Sequence, residues 1–169
     1  RAGDQLRATT QLETVQLDGR IHHVSITFPR GFDKTKKYPV LLKVYGGPHA
    51  QYVDIANDTY VMDQFYADAG FIVVRSDNRG TPYRGRAWER AILKDLITIP
   101  LNDQIAALQA TAAKHPEMDM TRVGVTGWCW GGSTVYQVAA TNPDIKAAVA
   151  WYGPPARPYP DTPTPVTGF

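Results

Sequence analysis

Alternating apolar and polar positions predict a β-hairpin near the start of the chain. Two loosely alternating segments, Glu13–Leu17 and Ile21–Phe28, flank the dipeptide Asp18-Gly19. Alternation with a period of two is typical of a strand with one buried face, and Asp-Gly is a strong signal for a two-residue turn between antiparallel strands. We therefore predict an antiparallel hairpin, and we expect His22 and His23 to be surface residues on its second strand.

Four continuous apolar runs follow the hairpin, and each is typical of a strand that is buried on both faces. The runs are Val40–Tyr45, Phe71–Arg75, Arg122–Thr126 and Ile145–Tyr152. Segments of helical length separate them, and such crossovers join parallel strands in a right-handed sense. The pattern predicts an α/β fold with a mainly parallel sheet.

Helical spacing of apolar residues, together with terminating Gly and Pro residues, predicts the connecting segments. Asp58 is the expected N-cap of the first helix and Gly70 its C′ residue, and Pro116 ends the third. The tail from Gly153 is expected to be irregular, because six of its 17 residues are proline. The predicted helices are Thr59–Ala69, Gly85–Leu96, Leu101–His115 and Ser133–Ala140.

Composition narrows the class of protein. The chain has 169 residues, which fits one domain, and its 18 basic against 16 acidic residues form no basic block that would attract nucleic acid. No apolar run approaches the roughly 20 residues that a membrane helix needs. A single cysteine, Cys129, excludes an internal disulfide framework and a multi-cysteine zinc site. We predict a soluble protein without metal or cofactor, and its compartment, cytoplasmic or periplasmic, is left open.

The segment Gly127-Trp128-Cys129-Trp130-Gly131 places Cys129 in a G-x-C-x-G frame between a predicted strand and a predicted helix. The same frame with serine is the nucleophile elbow of α/β-hydrolases. Its glycines are needed because larger side chains would collide with the neighbouring strand and helix. The helix N-terminus offers N–H groups and a positive dipole that favour a thiolate and an oxyanion. Cys129 is therefore the predicted nucleophile and the Trp130 N–H an oxyanion donor; the alternative is an inert, buried cysteine.

Linked motifs before the elbow carry a family resemblance. They are Tyr38–Pro48 (YPVLLKVYGGP), Asp77–Gly80 (DNRG), Gly85–Glu89 (GRAWE) and Asp103-Gln104. With them, residues 12–126 resemble the catalytic domain of the prolyl oligopeptidase family, especially its dipeptidyl-peptidase IV branch. The elbow of that family reads G-W-S-x-G-G, so Cys129 stands where serine is expected.

Residues 127–169 resemble dienelactone hydrolase instead. That family has a cysteine nucleophile in a G-x-C-x-G-G elbow, and its next strand ends in a Tyr-Gly pair, as Tyr152-Gly153 does here. Both families have the α/β-hydrolase fold. The resemblance thus implies a mainly parallel sheet with helices on both faces and an antiparallel N-terminal hairpin, truncated after the strand that follows the elbow.

The peptidase resemblance also implies roles for individual residues. Tyr45 matches a tyrosine whose hydroxyl helps to bind the oxyanion. Arg79 resembles a structural arginine, and Asp77 is expected to brace its loop. His49, in the Gly-Gly-Pro-His loop beside Tyr45, and Trp128, beside the nucleophile, are the expected binding residues.

The remaining members of a catalytic triad are not found downstream of Cys129. The order along an α/β-hydrolase chain is nucleophile, acid, histidine. The 40 residues after Cys129 contain Asp144 and Asp161 but no histidine. We therefore expect residues 1–169 to be one C-terminally incomplete domain, with acid and base supplied by a missing segment or a partner chain. The strand Ile145–Tyr152 would then be an exposed apolar edge open to self-association or to a partner.

Three functions follow as alternatives. The chain is part of a prolyl-oligopeptidase-type hydrolase of peptides, or a dienelactone-hydrolase-like enzyme acting on esters or lactones. The third alternative is a catalytically incompetent fragment that serves only as a binding or assembly module.

Overall fold

The structure is a computed structural model and describes residues 7–155. Its strands are β1 (Thr10–Leu17), β2 (Arg20–Thr27), β3 (Tyr38–Lys43), β4 (Ile72–Ser76), β5 (Met118–Trp128) and β6 (Ile145–Trp151). Its helices are α1 (Val61–Asp68), preceded by a 3₁₀ turn at Asn57–Tyr60, then α2 (Arg86–Arg90), α3 (Thr98–Ala112) and α4 (Trp130–Thr141). The predicted proline-rich tail is described only as far as Pro155, and Asp161 lies outside the described residues.

The six strands form one mixed sheet in the order β1-β2-β4-β3-β5-β6. β1 pairs antiparallel with β2, and β2 with β4, whereas the other pairs are parallel. Asp18 and Gly19 connect β1 to β2 with φ values of 49° and 73°, and a tight hairpin turn of this hand requires positive φ at both central residues. The α/β-hydrolase-type fold and its antiparallel N-terminal hairpin are confirmed.

Helices cover both faces of the sheet. On one face, Leu101 and Leu108 of α3 and Val135 of α4 join Val40 and Leu42 of β3 in the main core. On the other face, α1 presents Asp63 to Arg75 of β4. Because successive side chains of a strand point to opposite faces, Ile72 and Val74 belong to the first face and Arg75 to the second.

His22 is buried, so the expectation of a surface position was wrong. Its relative exposure is 1%, its ring lies 4.9 Å from that of Trp88, and its Nδ1 lies 3.3 Å from the carbonyl oxygen of Asp77. The reason is the sheet order: β2 lies between β1 and β4 rather than at the edge. Burial lowers the pKa of His22, and the carboxylate of Asp103 acts in the opposite direction.

Several helix boundaries also differ from the prediction. Asp58 lies within the 3₁₀ turn and caps nothing; α1 begins after Tyr60 without a side-chain cap. The predicted helix over residues 85–96 is reduced to α2, because turns follow directly after it. At α3, the carboxylate of Asp95 accepts the N–H groups of Ile97 at 3.1 Å and Thr98 at 2.7 Å. Such local bonds to the backbone satisfy donors that a helix start leaves unpaired.

Strand β6 lies at one edge of the sheet that the structure describes. Trp151 and Tyr152 at its end are 45% and 77% exposed. Ala148 of β6 belongs to the main core, whereas Ala147 and Val149, whose side chains point to the other face, are only partly buried. Within residues 7–155, no helix is both long enough and apolar enough to cross a membrane.

Candidate active site

Cys129 lies at a sharp turn between β5 and α4, with φ 55° and ψ −121°. A side chain with positive φ is unusual outside glycine and marks a strained turn. The turn is held by backbone bonds: the Cys129 N–H donates to the Trp151 carbonyl at 3.0 Å, and the Ser133 N–H donates to the Cys129 carbonyl at 3.3 Å. The thiol is exposed, so the turn presents it to the solvent.

Glycines let this turn pack against neighbouring backbone. A Cβ on Gly127 would lie 2.5 Å from the carbonyl oxygen of Gly131, and a Cβ on Gly131 would lie 2.3 Å from that of Val44. A Cβ on Gly132 would lie 2.7 Å from the carbonyl oxygen of Trp151. These contacts are with backbone atoms, so larger side chains would collide with the neighbouring segments, as predicted from the sequence.

The N-terminus of α4 supplies donors directly after Cys129. Trp130 is its first residue, and the first N–H groups of a helix have no partner within it. The N–H of Trp130 is therefore available beside the thiol. The prediction that α4 starts at Ser133 placed the helix one turn too late.

Tyr45 lies at the end of β3, on the side of the sheet where the elbow emerges. Burial raises the pKa of Tyr45, the charge of the nearby Cys129 thiolate raises it further, and the backbone N–H of His49 opposes both. Thr134 of α4 donates its hydroxyl to the Tyr45 carbonyl at 3.0 Å. A Cβ on Gly131 would also lie 3.3 Å from the Tyr45 Cα, so Tyr45 packs against the elbow turn that carries Cys129.

A cavity of about 380 Å³ opens beside Cys129. Its wall is mostly apolar, and the hydroxyl of Ser133 donates to the carbonyl of Pro154 there. The lining residues are Ile97, Cys129, Trp130, Ser133, Thr134, Gln137, Pro154 and Pro155. The cavity is large enough to take a side chain or acyl group next to the thiol.

The two predicted binding residues lie elsewhere. Trp128 points to the opposite face of the sheet, where its ring stacks on that of Trp151 at 5.9 Å with an interplanar angle of 3°. The ammonium of Lys43 lies 5.1 Å from the Trp128 ring centroid. The side chain of His49 is exposed in the loop after Tyr45. Neither residue lines the cavity, and a binding role for either stays a prediction.

The Asp77–Gly80 loop is braced as the resemblance implied. The carboxylate of Asp77 accepts the N–H of Tyr52 at 2.7 Å and that of Val53 at 3.4 Å. Arg79 forms a two-pronged ion pair with Asp103, with Nε at 2.9 Å and Nη2 at 2.7 Å. This geometry suits the planar guanidinium and ties the loop to α3.

The described residues bring no histidine to the cavity wall. His22 is buried on β2 against Trp88, and His115 pairs with Glu13 at 2.8 Å. Asp144 lines a different cavity, with Met120 and Asn142. Among residues 7–155, no three His, Cys, Asp or Glu side chains cluster as metal ligands.

Sequence reasoning missed a buried cluster of charges next to the site. Lys43 and Arg75 lie within apolar strands, and both pair with Asp63 of α1. A charged residue in an otherwise apolar run signals a buried partner, because a charge is rarely buried alone. Asp63 could not be identified as that partner from spacing.

Comparison with known proteins places these features in a family. The family model described as "Prolyl oligopeptidase family" matches residues 58–155. The chain is 39% identical over 123 residues to a Trichophyton verrucosum protein named "Probable dipeptidyl-aminopeptidase B", covering 70% of this chain and 13% of that protein. It is 34% identical over 125 residues to human dipeptidyl peptidase 8, covering 72% and 14%.

A solved structure shows the same arrangement of the backbone. A Bacteroides ovatus protein described as a dipeptidyl aminopeptidase IV superimposes with a TM-score of 0.77 at 33% identity, over 84% of this chain and 20% of that one. The chain therefore spans a fifth or less of the length of each of these three proteins. The matched family range runs through the elbow, and a separate resemblance of residues 127–169 to dienelactone hydrolase stays a prediction.

Proposed function

The chain belongs to the prolyl oligopeptidase family, and on that premise we propose that it is the nucleophile-bearing part of a peptide hydrolase in which Cys129 attacks the substrate. The domain would be incomplete at its C-terminal side, with acid and base on another segment or a partner chain. Peptide substrates are proposed because the named relatives are dipeptidyl peptidases.

The observation that carries this proposal is the backbone of Cys129. Its φ of 55° and ψ of −121° raise an exposed thiol above the sheet at a helix N-terminus. Such a conformation costs of order 1–3 kcal/mol and persists only where the surrounding packing enforces it. Strained residues of this kind cluster at active sites. Four tight backbone contacts at Gly127, Gly131, Gly132 and Gly153 supply that packing.

In the proposed reaction, the Cys129 thiolate attacks the carbonyl carbon and forms a carbon–sulfur bond. The oxyanion accepts hydrogen bonds from the Trp130 N–H and the Tyr45 hydroxyl, which are worth most when they are positioned in advance. Collapse of the intermediate breaks the bond to the leaving amine, which takes a proton, and leaves a thioester. Water then hydrolyses the thioester and restores the thiol.

The apolar cavity beside Cys129 is the proposed site for the side chain of the acyl group. Its mostly apolar wall favours an apolar residue. An ester or lactone substrate is the second candidate, because cysteine at the elbow is the dienelactone-hydrolase pattern.

Deacylation needs a base to activate water, and no histidine of the described residues lines the cavity. We therefore expect this chain alone to be acylated once per molecule. The third alternative, a binding or assembly module, would include association through β6, whose end is exposed.

The test uses p-nitrophenyl acetate and mass spectrometry of the whole chain. One acetyl group per chain, absent in Cys129→Ala, is the expected result. Sustained turnover would contradict the prediction that acylation stops at one equivalent. Equal acetylation of wild type and Cys129→Ala would show that Cys129 is not the nucleophile and would favour the binding-module alternative.

A further inference from the structure

The ring of Tyr45 rests against a second tyrosine. The rings of Tyr45 and Tyr52 stack with centroids 5.2 Å apart and an interplanar angle of 22°. Tyr45 lies two residues after the end of β3, and a Cβ added to Gly47 would lie 3.0 Å from the Tyr45 ring. The ring of Tyr52 therefore lies against one face of the ring that carries the Tyr45 hydroxyl.

Tyr52 lies in a loop, yet its backbone is held at both polar groups. Its N–H donates to Asp77 at 2.7 Å, and its carbonyl accepts a bond from Nη1 of Arg75 at 3.2 Å. The guanidinium carbon of Arg75 also lies 5.6 Å from the Tyr52 ring centroid. Both partners belong to β4 or directly follow it, so the loop is anchored to the centre of the sheet.

Arg75 is itself held from several sides. It is 4% exposed, it pairs with Asp63, and its Nη2 donates to the carbonyl of Thr59 at 3.1 Å. Asp63 also accepts Lys43 at 2.8 Å. A guanidinium with donors in a fixed plane and partners on three sides has little freedom to shift. Because Arg75 also contacts the carbonyl and the ring of Tyr52, it restricts the movement of Tyr52 as well.

We propose that Tyr52 is a positioning residue for the oxyanion site: its ring, fixed by Arg75 and Asp77, keeps the Tyr45 hydroxyl beside the Cys129 thiol. This inference rests on the proposed function, in which Tyr45 donates to the oxyanion. Preorganised donors lose their effect when they are displaced by about 1 Å. Loss of the Tyr52 ring therefore weakens oxyanion binding without changing the thiol.

Two reactions of the same thiol separate this role from a general structural one. Acylation by p-nitrophenyl acetate passes through an oxyanion, whereas alkylation by iodoacetamide displaces iodide from a saturated carbon and forms none. For Tyr52→Ala, we expect acylation to slow by about tenfold and the alkylation rate to remain within about twofold of wild type. Tyr52→Phe keeps the stacked ring and is expected to recover most of the acylation rate.

Three controls complete the design. Tyr45→Phe removes the donor and sets the lowest expected acylation rate. Tyr136→Ala, at a residue that is 40% exposed on α4, tests the loss of a tyrosine elsewhere. Arg75→Lys keeps the positive charge opposite Asp63 but loses the guanidinium donor to Tyr52. If Tyr52→Ala does not fold, Arg75→Lys is measured in its place.

The outcomes separate the two hypotheses. If Tyr45→Phe slows acylation but Tyr52→Ala does not, the positioning role is wrong and the oxyanion role of Tyr45 stands. If Tyr52→Ala slows acylation and alkylation equally, its effect is structural and the positioning role is also wrong. If Tyr45→Phe acylates at the wild-type rate, the proposed oxyanion role fails and the positioning role fails with it.

Discussion

The carboxyl group of Asp77 is buried at 1% exposure and only partly satisfied. Its Oδ1 accepts two backbone N–H groups, whereas its Oδ2 has no hydrogen-bond partner within residues 7–155. Burial raises the pKa of Asp77 from 3.8 to about 6, against the opposing effect of the Tyr52 and Val53 N–H groups and the charges of Arg84 and Arg75. Replacing Asp77 with asparagine removes the titration and keeps an acceptor for the two N–H groups.

The sign and size of the effect follow from linkage. The folded state binds the Asp77 proton more tightly than the unfolded state, so this contribution to stability is present below about pH 4 and is lost as the pH rises through about 6. A rise of roughly two units corresponds to about 3 kcal/mol at about 1.4 kcal/mol per unit. We therefore expect the free energy of unfolding of wild type, relative to Asp77→Asn, to fall by up to about 3 kcal/mol between pH 4 and pH 7.

Urea denaturation followed by tryptophan fluorescence at several pH values between 4 and 7 measures this difference. Asp119→Asn is the matched control, because hydrogen bonds from Thr121 and Arg122 lower the pKa of Asp119 to about 2. Its contribution is expected to be constant from pH 5 to pH 7. A pH-independent difference between wild type and Asp77→Asn across the whole range would refute the argument from burial.

Two further predictions concern packing and association. Gly131→Ala places a Cβ 2.3 Å from the Val44 carbonyl oxygen and is expected to lower the free energy of unfolding by about 1–3 kcal/mol and to abolish acylation of Cys129. Gly31→Ala, which meets no atom within 4 Å, is expected to be close to neutral, and equal unfolding curves for the two variants would contradict the elbow packing. If β6 pairs with a second copy, Val149→Lys is expected to lower the dimer fraction measured by sedimentation velocity. The control Ile55→Lys, at a side chain that is 91% exposed, is expected to leave the dimer fraction unchanged. A wild-type protein that is monomeric at all concentrations would argue against association.

Local patterns predicted the elements that local chemistry controls. The Asp18-Gly19 turn was predicted because positive φ at two successive residues needs particular residue types. The elbow was predicted because its glycines are spaced by contacts within one strand–turn–helix segment. Helix starts were predicted less well: Asp58 was an acceptable N-cap by type, but it lies inside a 3₁₀ turn that buries Tyr60.

Contacts between distant segments were not predictable in the same way. The stack of Tyr52 on Tyr45 and the burial of His22 both involve neighbours that pattern and spacing do not reveal. The ion pairs of Lys43 and Arg75 with Asp63 were missed, because Asp63 lies on a helix far from both in the chain. Each of these contacts depends on which strands lie side by side.

The sequence by itself determined the strand and helix content, the fold class and the position of Cys129 on its elbow, since these follow from periodicity and from residues close together in the chain. Only the tertiary structure decided what surrounds the elbow. The sheet order places β4 between β2 and β3, which buries His22 and brings Arg75 and Asp77 beneath the loop of Tyr52. The physical reason is that these contacts form across strands rather than along the chain, so no spacing in the sequence records them.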